Sequence, residues 1–192
     1  MSDFAFYFDL GWRHIISTDA LDHQLFILAL SAIYLANDWK KVLVLVTAFT
    51  IGHSLTLILS TYEIIDVDAK WVEFLIPLSI VITAFLNLIK TEQHYGHYKT
   101  QYWLALFFGL IHGLGFANTI RFMLADTQGI TIPLLSFNIG LEAGQLVLVG
   151  LILLVSFLFV NTVKLKRKWW VWGLSALALC IAAYISIQRW PL

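Results

Sequence analysis

Six continuous apolar runs, each close to the length that crosses a bilayer, leave this chain few folds to choose from. A spanning helix needs about 20 mostly apolar residues. The runs cover residues 20–37, 41–61, 71–90, 102–123, 132–162 and 169–189. They do not alternate apolar with polar residues, which argues against a β-barrel. The fifth is long enough to tilt or to extend past the bilayer. Residues 3–16 are apolar but short and interrupted by Asp9 and Arg13; they are expected to form an interfacial or re-entrant helix packed on the bundle. The expected fold is therefore an all-α membrane protein. Six transmembrane helices and one N-terminal helix would make a single bundle over residues 1–192.

Composition agrees. Of 192 residues, 60% are hydrophobic and 12% charged, about half the charge of a soluble domain, and mean hydropathy is +0.82. Net charge is zero, which gives no electrostatic case for binding nucleic acid. The single cysteine, Cys180, excludes an intramolecular disulfide and a thiolate metal cluster. The N-terminus lacks a basic region before its apolar stretch, so no cleaved signal peptide is expected. The tryptophans fall near the ends of the runs, where amphipathic rings prefer to sit.

The basic residues set an expected orientation. Lys40, Lys41, Lys90, Lys99, Lys164, Lys166, Arg167 and Lys168 share one side, against Arg13, Lys70, Arg121 and Arg189 on the other. The richer side belongs in the cytoplasm. Both termini would then be extracytoplasmic in a multi-pass protein of the inner membrane. The sequence leaves a homo-oligomer open.

Ionisable groups in apolar runs are costly and point to function. His14, Asp19, Asp22 and His23 lie where the N-terminal helix meets the first span. Thr18 or Asp19 can cap that span, and Asp19, Asp22 and His23 share a helix face. The bland alternative is that the aspartates only cap, but capping needs one acid rather than two acids and two histidines. His53, next to Gly52 and Ser54, could instead be a neutral histidine bonded to a neighbouring helix. His112 sits among Gly109, Gly113 and Gly115 with Asn118 two turns on; a small-residue seam explains the glycines but not the histidine. Asn138, Glu142 and Gln145 form a polar stripe at i, i+4 and i+7, beside a Gly140–Gly144 pair. A lone structural glutamate there would have to be protonated or paired. His94 and His97 read better as a solvated loop.

Imidazoles and carboxylates together suit a divalent transition metal, and residue type alone cannot separate nickel from zinc. With the topology above, the metal-ligand candidates His14, Asp19, Asp22, His23, His53, His112 and Glu142 fall at similar depth and open outward. Ser54, Asn118, Asn138 and Gln145 would support them. A permease for a metal-ion substrate is the leading reading. The alternative is an intramembrane zinc-type metallohydrolase that uses the same cluster, because the inner halves of the second and fourth runs (KVLVLVTA, WLALFF) offer no polar path. No GxxxxGK[ST] motif is present, so ATP hydrolysis is not expected.

The segments HIISTDALDHQLFILAL, FTIGHSLTL, FGLIHGLGFA and FNIGLEAGQL resemble the HupE/UreJ family of hydrogenase and urease accessory membrane proteins. The likeness covers nearly the whole chain. It implies nickel supply as the function and the seven residues above as the family's polar core.

Overall fold

A computed structural model describes residues 3–89, 98–124 and 129–192. Among them the structure is helical, without strands. The helices are α1 (Asp3–Ile16), α2 (Leu21–Ser31), α3 (Trp39–Thr61), α4 (Ala69–Ile89), α5 (Tyr98–Leu124), α6 (Thr131–Ser156) and α7 (Arg167–Gln188). Short 3₁₀ turns precede α2 and α3, and a π-helical segment, Phe157–Thr162, extends α6.

Among the described residues, four helical stretches are long and apolar enough to cross a membrane: Ala36–Thr61, Ala69–Ile89, Thr131–Thr162 and Arg167–Gln188. The apolar part of α5 runs over Gln101–Ala117. The expected first span departs from its prediction. Only Leu21–Ser31 of residues 20–37 form α2, an 11-residue helix. At 1.5 Å per residue it is roughly 16 Å long, about half a bilayer core. The chain breaks at residues 17–20, and neither Ser17 nor Ala20, which precede the 3₁₀ turn and α2, makes a side-chain cap.

Backbone contacts hold the helices in register. A Cβ on Gly52 of α3 would collide with the Leu106 carbonyl of α5, and one on Gly109 of α5 with the Phe49 carbonyl of α3. These helices touch main chain to main chain, as small-residue seams in membranes allow. The Gly140–Gly144 pair of α6 receives α1 in the same way. Gly140 abuts the Phe8 carbonyl, while Gly144 meets Trp12 and Ile15. Both contact sets advance along the chain together, so α1 runs in the same sense as α6. α4 packs along α7.

The α2 segment is pinned along its length. Its Asp22 pairs with Arg189 just past α7 at 2.7 Å. The Ala29 carbonyl accepts from Asn87 Nδ2 at 2.7 Å near the end of α4, and the Ile33 carbonyl accepts from Arg167 at the start of α7. α1 and α2 make few contacts with each other, so they follow end to end rather than lying side by side.

Two helix ends depend on left-handed residues without glycine. Glu63 (φ 57°) follows α3, with Ile64 N–H bonding the Leu59 carbonyl at 2.9 Å and Glu63 N–H bonding Ser60 at 3.0 Å. This double closure satisfies the orphan carbonyls of the last turn. Lys164 (φ 63°) ends the π segment. Within α4, Pro77 lacks the N–H that would bond the Glu73 carbonyl, which loosens the helix at that level.

Candidate metal centre

The break between α1 and α2 brings histidines from distant parts of the chain together. His14 ends α1, His23 sits in the first turn of α2, and His53 and His112 lie midway along α3 and α5. Ring centroids are 4.5 Å apart for His14–His23, 4.9 Å for His23–His112, 5.9 Å for His14–His53 and 6.2 Å for His23–His53. Candidate ligand atoms of His14, His23 and His53 all lie within 4.8 Å of one another. Three nitrogens around one ion at about 2.0–2.1 Å would stand roughly 3.3 Å apart. Small rotations of the rings therefore suffice to close on an ion.

His23, His53 and His112 are buried, His14 is half-buried, and each ring has at least one nitrogen without a partner. His53 is fully buried and His112 is 1% exposed. Both ring nitrogens of His53, Nε2 of His14 and His23, and Nδ1 of His112 have no hydrogen-bond partner. Buried polar atoms are nearly always paired, so a cluster of partnerless nitrogens on adjacent rings has the chemistry of a cation site. His112 Nε2 lies 3.4 Å from Ser79 Oγ. The Ser79 hydroxyl donates to the Ile76 carbonyl at 2.6 Å. Its one proton is thus committed, and His112 Nε2–H must donate to it. This assigned tautomer leaves the Nδ1 lone pair free.

A cavity of about 340 Å³ leads to the cluster. Its lining includes His14, His23 and His112 together with Asp19, Asp22, Glu73, Ser17 and Arg189. Asp19 and Glu73 are exposed and form the mouth. On the opposite side, one turn beyond each of three histidines, stands a phenylalanine: Phe26 after His23, Phe49 before His53 and Phe108 before His112. Their centroids are 5.0 Å (Phe26–Phe49) and 5.8 Å (Phe26–Phe108) apart. Phe26 and Phe49 also pack on His112 at 5.2 and 5.1 Å. A layer of aromatic rings therefore closes the cavity beneath the histidines.

The expected site residues divide into two groups. His14, Asp19, Asp22, His23 and His112 line the cavity, and His53 joins them through the histidine cluster. Glu142 does not line it. Its Oε1 accepts from Thr47 Oγ1 at 2.8 Å, on the seam between α3 and α6. One turn away in the same seam, Gln145 Oε1 accepts from Thr50 Oγ1 at 2.9 Å. Ser54 Oγ donates to the Thr50 carbonyl of its own helix. Asn138 borders a separate, mainly apolar pocket with Ile58, Tyr62 and Leu134. The Asn118 side chain, His94 and His97 lie outside the described residues.

Glu73 and Arg189 were missing from the expected site. Each stands at a span end, where charged residues ordinarily reach into the interface. Glu73 carried a signal nonetheless, as a carboxylate four residues before a helix-interior proline.

No curated protein and no solved structure matches this chain. A sequence family described as HupE / UreJ protein matches residues 1–189. With that match over essentially the whole chain, this protein belongs to the HupE/UreJ family.

Proposed function

We propose that this protein is a divalent-metal permease of the nickel-handling type, with the histidine cluster as its ion site. One observation carries the reading: the ligand atoms of His14, His23 and His53, drawn from three helices, lie within 4.8 Å of one another at the base of an acidic cavity. The family's association with nickel supply supports the choice of ion. In this reading the chain crosses the inner membrane six times. The first crossing is discontinuous, made by α1 and α2 in series, and α5 supplies the fourth. Broken helices at ion sites are a recurrent device in transporters, because the freed backbone lines a polar cavity rather than lipid. In this reading the cavity mouth and both termini lie outside, which the basic excess around Lys40 and Arg167 supports.

Mechanistically, Asp19 and Glu73 concentrate cations at the mouth. The cavity is large enough for a hydrated ion. Imidazoles replace its water as it passes toward His53, and the His112–Ser79 bond holds the fourth ring in a tautomer with a free lone pair. The Phe26–Phe49–Phe108 layer is the closed gate on the far side, a dewetted constriction that must part for release.

That same aromatic layer favours a second reading. A metallohydrolase needs no exit, and three imidazoles beside a carboxylate can hold zinc with one open position. Reconstitution separates the two. Proteoliposomes loaded with a metal-sensitive dye should show nickel influx that His53→Ala abolishes and Phe49→Ala accelerates. If nickel binds but never reaches the lumen in either wild type or Phe49→Ala, the permease reading fails.

A further inference from the structure

The ion pair between Asp22 and Arg189 sits inside the proposed cation pathway, and holding helices together does not require that position. Arg189 follows the last residue of α7, and its Nη1 donates to Asp22 Oδ2 at 2.7 Å. Asp22 immediately precedes His23 of the cluster, and both Asp22 and Arg189 line the cavity. The other carboxylate oxygen of Asp22, Oδ1, is buried without a partner. The chain therefore places one of its own cations on a carboxylate that adjoins His23 in sequence and shares its cavity. A guanidinium stays charged at any physiological pH. A divalent ion approaching Asp22 would be repelled at close range unless Arg189 swings aside. The side chain has room to do so: it is 37% exposed and springs from a helix end, and exposed Glu73 on the same cavity offers a second anion.

We propose that Arg189 is a tethered competitor for the metal ion: the guanidinium and an incoming divalent cation take Asp22 in alternation. Arg189 thereby lowers the affinity of the site and helps to expel the ion. This inference rests on the metal-binding reading and adds a residue that sets affinity and release. A purely structural pair, stapling α7 to α2, predicts the opposite sign when it is cut.

The test is nickel(II) titration of the purified full-length protein and its variants. Arg189→Gln should bind nickel about tenfold more tightly, in the range of ordinary coupling between linked binding events. Asp22→Asn should bind more weakly. In the Asp22→Asn background, Arg189→Gln should gain much less, because the contested carboxylate is gone. A second measurement uses unaltered protein, so it does not depend on the variants folding. Nickel should raise the reactivity of Arg189 toward phenylglyoxal, read by peptide mapping with Arg13 and Arg167 as internal references. Unchanged or weaker nickel binding by Arg189→Gln, or an Arg189 reactivity indifferent to nickel, overturns the competitor role while leaving the metal site standing. A wild-type protein that takes up no nickel defeats the metal reading and this inference with it.

Discussion

Two sets of polar side chains share helix α3, and they have opposite surroundings. Thr47 and Thr50 face α6, where each hydroxyl meets a side-chain oxygen, of Glu142 and Gln145 respectively. One turn along, His53 faces α1, α2 and α5 with both ring nitrogens unpartnered, and the adjoining rings of His14, His23 and His112 add three more free nitrogens. The first set closes its own hydrogen bonds and joins two helices. The second leaves several partners missing in one place, although each unsatisfied buried group costs about 1–3 kcal/mol. Polar groups that complete one another are structure; polar groups that all lack the same thing mark where something else belongs. The contrast also moves Glu142 from the proposed ion site to the seam.

The contrast can be broken most sharply at His53. His53→Ala should weaken nickel or zinc binding by about 100-fold or more, since even the residues behind a ligand are worth 10–100-fold. It should leave unfolding in detergent within about 1 kcal/mol, because the imidazole it removes has no partner to strand. A large loss of stability would make His53 a structural residue. Next in size is Gly109→Val. Its side chain would push α5 off the Phe49 backbone and carry His112 away from His53. It should cost roughly 3 kcal/mol or more, as overpacked sites do, and weaken metal binding along with stability.

The seam should respond in the opposite way. Gln145→Leu strands the Thr50 hydroxyl and should lower stability by about 1–2 kcal/mol. Its metal affinity should stay within a factor of about three, as expected for a site that it does not touch. Adding Thr50→Val should recover part of the loss, because removing both partners leaves nothing unpaired. The smallest effect belongs to Glu142→Gln, which retains an oxygen to accept from Thr47. Stability should change by no more than about 0.5 kcal/mol. A metal affinity that nonetheless collapsed in this variant would return Glu142 to the ion site and erase the distinction between the two regions.

Much of this was legible from residue types. Helices α3, α4, α6 and α7 lie where the apolar runs place them, because long apolar stretches with few charges have only one way to satisfy their backbone in lipid. The histidines and the aspartates beside them were visible as ionisable residues in or beside apolar runs. The broken first helix was not. Residues 20–37 have the length of a span, but only Leu21–Ser31 are α-helical. In the proposed topology α1 supplies the missing length, and its docking on Gly140 and Gly144 is a tertiary fact. The stripe of Asn138, Glu142 and Gln145 was correctly seen as polar, yet a stripe on one helix does not say which neighbour it meets. Thr47 and Thr50, not the histidines, answer that. Glu73 and Arg189 stand at span ends, where residue type alone marks no site, and they reach the cavity only because α4 begins and α7 ends beside its mouth.

The most direct test of the central claim is X-ray absorption spectroscopy on purified protein loaded with one equivalent of nickel or zinc. Convergence of the histidines on one ion predicts a first shell containing about three imidazole nitrogens, at about 2.0–2.1 Å for zinc. Their outer-ring scattering should be lost in part in His53→Ala. A shell of oxygen atoms without imidazole scattering, or protein that retains no metal at all, would contradict it.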